Sequence, residues 1–199
     1  MIICFDSISV TRQILCSPCR IILDTGTTLI IGPKESISQL NSVIGAEYQL
    51  ETDLVRTLRL TNWYLNIFFY SEYLVDCMNR SISSFPDVNI VIRNSTLTLS
   101  AVQYLMMINY KDVILCYSVF RGVNLMDSSG NLIWIFGSYF LSRYYSIYDF
   151  QQHRIGLAKS ISYNHHQILT GIVMETSNGS TRRVALMQLG CLLSFLWTF

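Results

Sequence analysis

Proline occurs only three times in 199 residues, and charged side chains make up only 14% of them. So little charge beside 51% apolar residues excludes an intrinsically disordered chain. Basic clustering is absent beyond Arg182-Arg183 and the formal net charge is +1, which leaves no electrostatic footprint for a nucleic-acid partner. A full transmembrane run is absent too. The stretch "VRTLRLTNWYLNIFFYSEYLV" is too interrupted, and the 16 uncharged residues from Val184 to Phe199 fall short of the roughly 20 a helical span needs. Histidine occurs three times; His165-His166 has no third ligand nearby, which argues against a metal site, and His153 sits beside a turn where solvation explains it. No internal repeat or low-complexity segment stands out.

Aromatic and β-branched residues are plentiful, a composition that favours strands. Short apolar runs between turn formers predict strands near 3–10, 13–15, 20–24 and 28–31. "PKESISQLNSVIG" predicts a helix, with Pro33 at its start, Glu35 in its first turn and Gly45 as its stop. Ile37, Leu40, Val43 and Ile44 give it one apolar face. "ISSFPDVNIVIRNSTLTLS" alternates as a hairpin turning at Arg93-Asn94-Ser95, and Ser100 is placed to cap a helix "AVQYLMMI". "DVILCYSVF" and "LIWIFG" read as strands, "SYFLSRYY" as a short helix, and "YSIYDF" with "RIGLA" as a last hairpin. The fold class is therefore mostly β with two or three short helices.

Six cysteines are present. Cys16-Ser-Pro-Cys19 is a CxxC, a pattern shared by zinc sites, redox sites and small disulfide loops. Zinc wants a second ligand pair at similar spacing, and a redox site wants the second Cys at a helix start, whereas Arg20-Ile21-Ile22-Leu23 reads as strand. A short structural disulfide is the preferred reading, and Cys77 and Cys116 are available for a second. Disulfides imply a secretory route. Three Asn-x-Ser/Thr acceptors, at Asn79, Asn94 and Asn178, agree with it. "MIICFDSISV" lacks the basic and apolar regions of a signal peptide and reads like the middle of a β domain, so the start of the parent protein is expected upstream.

Asp-Thr-Gly at 24–26 is weak by itself, since a turn aspartate commonly bonds its own backbone. Its context is stronger. Two apolar residues precede it, two threonines and an apolar run to Gly32 follow, a Pro-started helix comes next, and Ile135-Phe136-Gly137 repeats the apolar-apolar-Gly pattern. Together with "FDSISV", "CSPCRIILDTGTTLIIGPKESISQLNSVIGA", "DCMNRSISSFPDVNIVI" and "GNLIWIFGSYFLSRYYSIYDFQQHRIGLA", taken in that order, the sequence resembles the C-terminal lobe of the pepsin-like aspartic proteases over about residues 3–160.

The resemblance implies one lobe of a bilobal acid protease (residues 1–160, with a possible insertion at 51–75) and an atypical tail at 161–199. It implies hydrolysis of a peptide bond by an aspartate-activated water, without metal, cofactor or covalent intermediate. Two aspartates a few ångströms apart share one proton, because like charges that close resist joint ionisation. Asp24 is one candidate. Thr25 implies a brace across to the other lobe, Gly26 a tight turn with its N–H free for the carboxylate, and Thr27 a hydroxyl bonded to the carboxylate. Ile135, Phe136 and Gly137 imply a layer beneath the loop. Several departures stand out: no second Asp-Thr/Ser-Gly follows an apolar strand, since Asp127-Ser128-Ser129-Gly130 lies in a polar stretch; Ser138 stands where the family usually has Asp; and the cysteine loop has two intervening residues where three are usual.

The expected partners are a polypeptide substrate and an N-terminal lobe, or a second protease lobe, carrying the other aspartate. The alternative function is a catalytically inactive lobe that binds peptides or another protein. A tail-anchored membrane protein rests on 184–199 alone. The resemblance places the protein in the secretory pathway, extracellular or endosomal/lysosomal. Tyr144 and Tyr145 are expected in the core or a lobe interface, and the aromatic run Trp63–Tyr73 in packing.

Overall fold

In the computed structural model the described residues are 2–48, 73–110, 113–152 and 154–159, with short paired strands at 173–174, 182–183 and 185–188. The expected insertion lies outside them apart from its last three residues, as does most of the tail. In chain order the elements are β1 (Ile2–Phe5), β2 (Ser7–Val10), β3 (Gln13–Cys16), β4 (Cys19–Leu23), β5 (Ile30–Gly32), α1 (Lys34–Ile44), β6 (Ala46–Tyr48) and β7 (Tyr73–Val75). A single 3-10 turn, Ile82–Ser84, leads to β8 (Val88–Ile92), β9 (Ser95–Leu99), α2 (Ala101–Tyr104), β10 (Leu105–Tyr110), β11 (Val113–Ser118) and β12 (Phe120–Gly122). Then come β13 (Leu125–Met126), β14 (Leu132–Phe136), α3 (Ser138–Leu141), β15 (Tyr144–Asp149) and β16 (Arg154–Lys159). The chain is mostly β, consistent with one lobe of the pepsin-like fold.

The sheet that positions the site runs β1-β4-β14-β5-β12, with β13 paired to β14. Its centre is unusual. β14 lies parallel to β4, with Ile133 opposite Arg20 and Phe136 opposite Leu23, and antiparallel to β5, with Phe136 opposite Ile30. β4 and β5 are consecutive in sequence yet are separated by β14, so the chain between them must cross over the end of β14. A second sheet runs β3-β2-β8-β9 and a third β10-β11-β7-β6. Phe5, Ile21, Trp134, Phe136 and Phe140 are buried in one apolar core. Phe136 meets Phe5 edge-on at 5.9 Å and Phe140 at 4.7 Å between ring centres, a geometry that suits aromatic quadrupoles.

The structure revises several sequence expectations. The single strand expected over 3–10 divides at Asp6, whose N–H bonds Val91 O at 2.9 Å, so that β1 pairs with β4 while β2 pairs with β8. The "AVQYLMMI" helix stops at Tyr104. Leu105–Ile108 pair instead with Ser118–Leu115 of β11, a ladder that outcompetes a short helix of modest propensity. "SYFLSRYY" likewise gives one helical turn before β15 begins at Tyr144.

The 33–45 helix forms as α1, with Pro33 as the residue before it and Gly45 ending it in the left-handed region at φ 75°. Ile37, Leu40 and Ile44 are buried as expected, and Asn41 is buried among them because it is four residues after Ile37 and three before Ile44. Neither polar atom of the Asn41 amide has a hydrogen-bond partner among the described residues. The N–H of Lys34, one of the four a helix start leaves unpaired, is taken by Asn124 Oδ1 at 2.9 Å. Among the described residues, Cys16–Cys19 closes the corner between β3 and β4, and Cys77–Cys116 joins β11 to the segment after β7. Tyr144 is buried and Tyr145 exposed. Among the described residues no helix is long and apolar enough to cross a membrane.

Candidate active site

β4 ends at Leu23 because the next residues carry no apolar side chain for the core, and the chain turns at Thr25-Gly26. The turn is held from three directions. Asp24 N–H donates to Phe136 O at 3.0 Å, which extends the parallel β4–β14 ladder by one rung. Thr27 N–H donates to Asp24 O at 3.3 Å and closes the turn on itself. The return path is then fixed by β14: Gly137 N–H donates to Leu29 O at 3.1 Å, Ser138 N–H to Thr27 O at 2.8 Å, and Tyr139 N–H to Thr28 O at 3.1 Å. Three successive carbonyls of the loop are thus anchored on the end of β14 and the start of α3. β5 begins at Ile30 rather than 28: the Gly137–Leu29 bond continues the β14–β5 register by one position, whereas the carbonyls of Thr27 and Thr28 are taken by Ser138 and Tyr139 outside it.

Gly137 is the contact point of the crossing. A Cβ built there would lie 2.3 Å from Thr27 O and 2.5 Å from Leu29 O, distances no real side chain tolerates. The loop therefore rests directly on the Gly137 backbone. Ile135 and Phe136 behind it differ in role: Phe136 is fully buried, whereas Ile135 is half-buried and serves through its ladder positions opposite Ile22 and Ile31.

The Asp24 carboxylate is half-buried on top of this support. Gly26 N–H donates to Oδ1 at 2.9 Å, and the Thr27 hydroxyl donates to Oδ2. The hydroxyl bond, followed by the Gly26 amide, favours the ionised form and holds the carboxyl below the ordinary aspartate range against a smaller opposing effect of burial. Two of the roughly four acceptor positions of the carboxylate are used in this way, which leaves capacity for a water or a second carboxyl group. Thr25, Gly26 and Thr28 are exposed, so the loop lies on an open face of this chain. Thr25 makes no side-chain hydrogen bond among the described residues.

The other Asp-Ser-Ser-Gly is a different object. Asp127 caps its own turn, accepting Ser129 N–H at 2.9 Å and Asn131 N–H at 2.9 Å on Oδ1, while Oδ2 pairs with Arg20 at 2.7 Å. Those bonds, with the Asn131 backbone first, keep its carboxyl below the ordinary range. Its acceptor positions are spent on the β13–β14 turn and on Arg20 of β4, at the end of β14 remote from Gly137. Sequence reasoning did not single out Leu29 or Thr28, whose carbonyls anchor the loop. Backbone acceptors carry no residue signature, so nothing in the sequence marks them. Ser138, noted as a departure, contributes its N–H to Thr27 O and its hydroxyl to Thr28 O at 3.4 Å.

Comparison with known proteins agrees with this architecture. Residues 2–160 match the family model of eukaryotic aspartyl proteases. The chain is 31% identical over 142 residues to cathepsin D of Bos taurus, covering 71% of this chain and 31% of that protein. It is 34% identical over 161 residues to cathepsin E of Oryctolagus cuniculus, covering 80% and 35% respectively, and 31% identical over 161 residues to cathepsin E of Rattus norvegicus. The chain thus spans about a third of the length of the curated relatives it matches. A carboxylate cradled by a Thr-Gly-Thr turn, a strand threaded between the two that flank that turn, and a family match over four-fifths of the sequence lead to one conclusion: this chain belongs to the eukaryotic aspartyl protease family.

Proposed function

We propose that residues 1–160 form the C-terminal lobe of an aspartic endopeptidase and that Asp24 is one of its two catalytic carboxylates. The observation that carries this reading is the anchored loop. The Asp24 carboxylate is held by the Gly26 N–H and the Thr27 hydroxyl on an exposed face, over a glycine that lets the backbone of β14 touch the loop. Such fixing of a reacting group before substrate arrives lowers the reorganisation the reaction requires.

The sequence offers no second Asp-Thr/Ser-Gly after an apolar strand, so the partner carboxyl is assigned to an N-terminal lobe outside these residues, or to a second protease lobe. The two carboxyls hold one proton. The ionised one takes a proton from a bound water as its oxygen attacks the peptide carbonyl carbon. The protonated one donates to the carbonyl oxygen. The resulting tetrahedral diol collapses when a proton is delivered to the amide nitrogen and the C–N bond breaks. The substrate is an extended polypeptide bound between lobes. The Cys16–Cys19 and Cys77–Cys116 disulfides and the Asn-x-Ser/Thr sites support a secretory route.

The test is reconstitution. The chain, co-folded with an N-terminal lobe carrying its own Asp-Thr-Gly, should cleave an unfolded protein at acid pH. Asp24→Asn should reduce that rate by at least about 100-fold, the scale of losing a positioned acid–base group. Equal rates for the two proteins would remove Asp24 from the mechanism and leave a peptide-binding lobe.

A further inference from the structure

The sequon Asn94-Ser95-Thr96 occupies the tip of the β8–β9 hairpin, and nothing in the proteolytic reading uses it. We propose that Asn94 is an N-glycan acceptor whose sugar projects from the folded protein at the end of the sheet remote from the Asp24 loop. The inference rests on the secretory route proposed above.

Between the two sequons among the described residues, Asn79 and Asn94, the geometry favours this one. Ile92 and Ser95 pair directly, which leaves a two-residue loop of Arg93 and Asn94. Arg93 takes φ 50°, the left-handed conformation such a loop demands at its first position. Arg93, Asn94 and Thr96 are exposed, and the Asn94 amide makes no hydrogen bond among the described residues. The Asn79 sequon is different in every respect but exposure. Its amide donates to Asp76 Oδ2 at 2.9 Å and its backbone N–H to Asp76 Oδ1 at 3.2 Å. Arg80 lies 4.1 Å over the Phe85 ring, and Ser81 shares a hydroxyl contact with Ser83 at 2.9 Å. Cys77, two residues away, is held to Cys116. A sugar on Asn79 Nδ2 would compete with its bond to Asp76, whereas Asn94 has no such bond to give up.

The position relative to the site follows from strand register. Phe5 of β1 lies opposite Cys19 of β4, and Asp6 N–H bonds Val91 O, so the hairpin tip emerges at the Cys19 end of β4. Asp24 follows the other end. Five strand residues at about 3.3 Å each separate the two by roughly 16 Å along β4. The attachment point therefore lies toward the end of β4 opposite the Asp24 loop.

The transfer is chemically complete with one co-reactant, an oligosaccharide carried on a polyprenyl pyrophosphate. Asn94 Nδ2 bonds to the anomeric carbon as the carbon–oxygen bond to pyrophosphate breaks. One Nδ2 proton passes to a base of the transferase, and polyprenyl pyrophosphate leaves.

The experiment expresses the 199-residue chain behind a cleavable secretory leader, so that acceptor use is read separately from the chain's own route. Peptide mapping after glycosidase treatment in heavy-oxygen water should label Asn94 as aspartate. Asn94→Gln and Thr96→Ala should each remove one glycan-sized step from the intact mass, and Thr96→Ser should retain it. Glycosidase should also release that sugar without denaturant. An unmodified Asn94 peptide in the wild-type protein, modification at Asn79 alone, or release only after unfolding would each overturn the proposal.

Discussion

Replacing Gly137 by alanine tests the coupling between β14 and the Asp24 loop. The added Cβ would lie 2.3 Å from Thr27 O, where ordinary contact begins near 3.4 Å, so the loop or the strand must retreat by about 1 Å. Both obstructing atoms are backbone carbonyls, which have no rotamer to escape into. Retreat weakens two hydrogen bonds, Gly137 N–H to Leu29 O and Ser138 N–H to Thr27 O. Overpacking of this kind costs about 1–3 kcal/mol, and each weakened hydrogen bond about 1 kcal/mol more. The expected loss is roughly 3–5 kcal/mol, a large part of the 5–15 kcal/mol available to a typical domain. Urea unfolding followed by the fluorescence of buried Trp134 measures it. Gly130→Ala is the control: its Cβ meets nothing within 4 Å, though its φ of 77° carries a backbone penalty of about 1–2 kcal/mol. An unchanged midpoint for Gly137→Ala, or a smaller loss than for Gly130→Ala, would refute the claim that the loop rests on this glycine.

Thr27→Val removes the larger of the two influences that hold the Asp24 carboxyl low, so its NMR titration midpoint should rise toward the ordinary aspartate value; an unmoved midpoint would show that the hydroxyl does not set it. The sign for stability follows. A depressed folded pKa contributes stability that is present above the unfolded pKa and lost as pH falls through the folded one, and the valine variant should show less of that acid dependence. Asn41→Leu replaces a buried amide with no partners by an apolar side chain of similar shape, and should raise stability by about 1–3 kcal/mol in thermal or urea unfolding; a loss would mean that the amide is satisfied in solution. Opening Cys77–Cys116 by Ala substitution at both positions releases a loop of 39 residues' separation, for which chain entropy predicts a cost of roughly 4 kcal/mol, read as a drop in urea midpoint.

Local features were legible where one short segment carried the physics. α1 was readable from Pro33, Gly45 and the 37–40–44 spacing because a helix satisfies its own backbone. The β8–β9 hairpin was readable from alternation and its turn. Segments whose state depends on a distant partner were not. Leu105–Ile108 looks helical until β11 supplies a ladder, and 3–10 looks like one strand until β4 and β8 claim its halves.

By itself, the sequence determined that an aspartate stands at the end of an apolar strand, in a Thr-Gly-Thr turn, within a β-rich chain whose cysteines can pair. Only the tertiary structure decided what that turn rests on. β14 enters between β4 and β5 from more than a hundred residues away, and its Gly137 meets the carbonyls of Thr27 and Leu29. The reason is physical: those contacts are made by backbone groups that every residue possesses, so their partners are chosen by strand order in space and leave no mark in side-chain pattern.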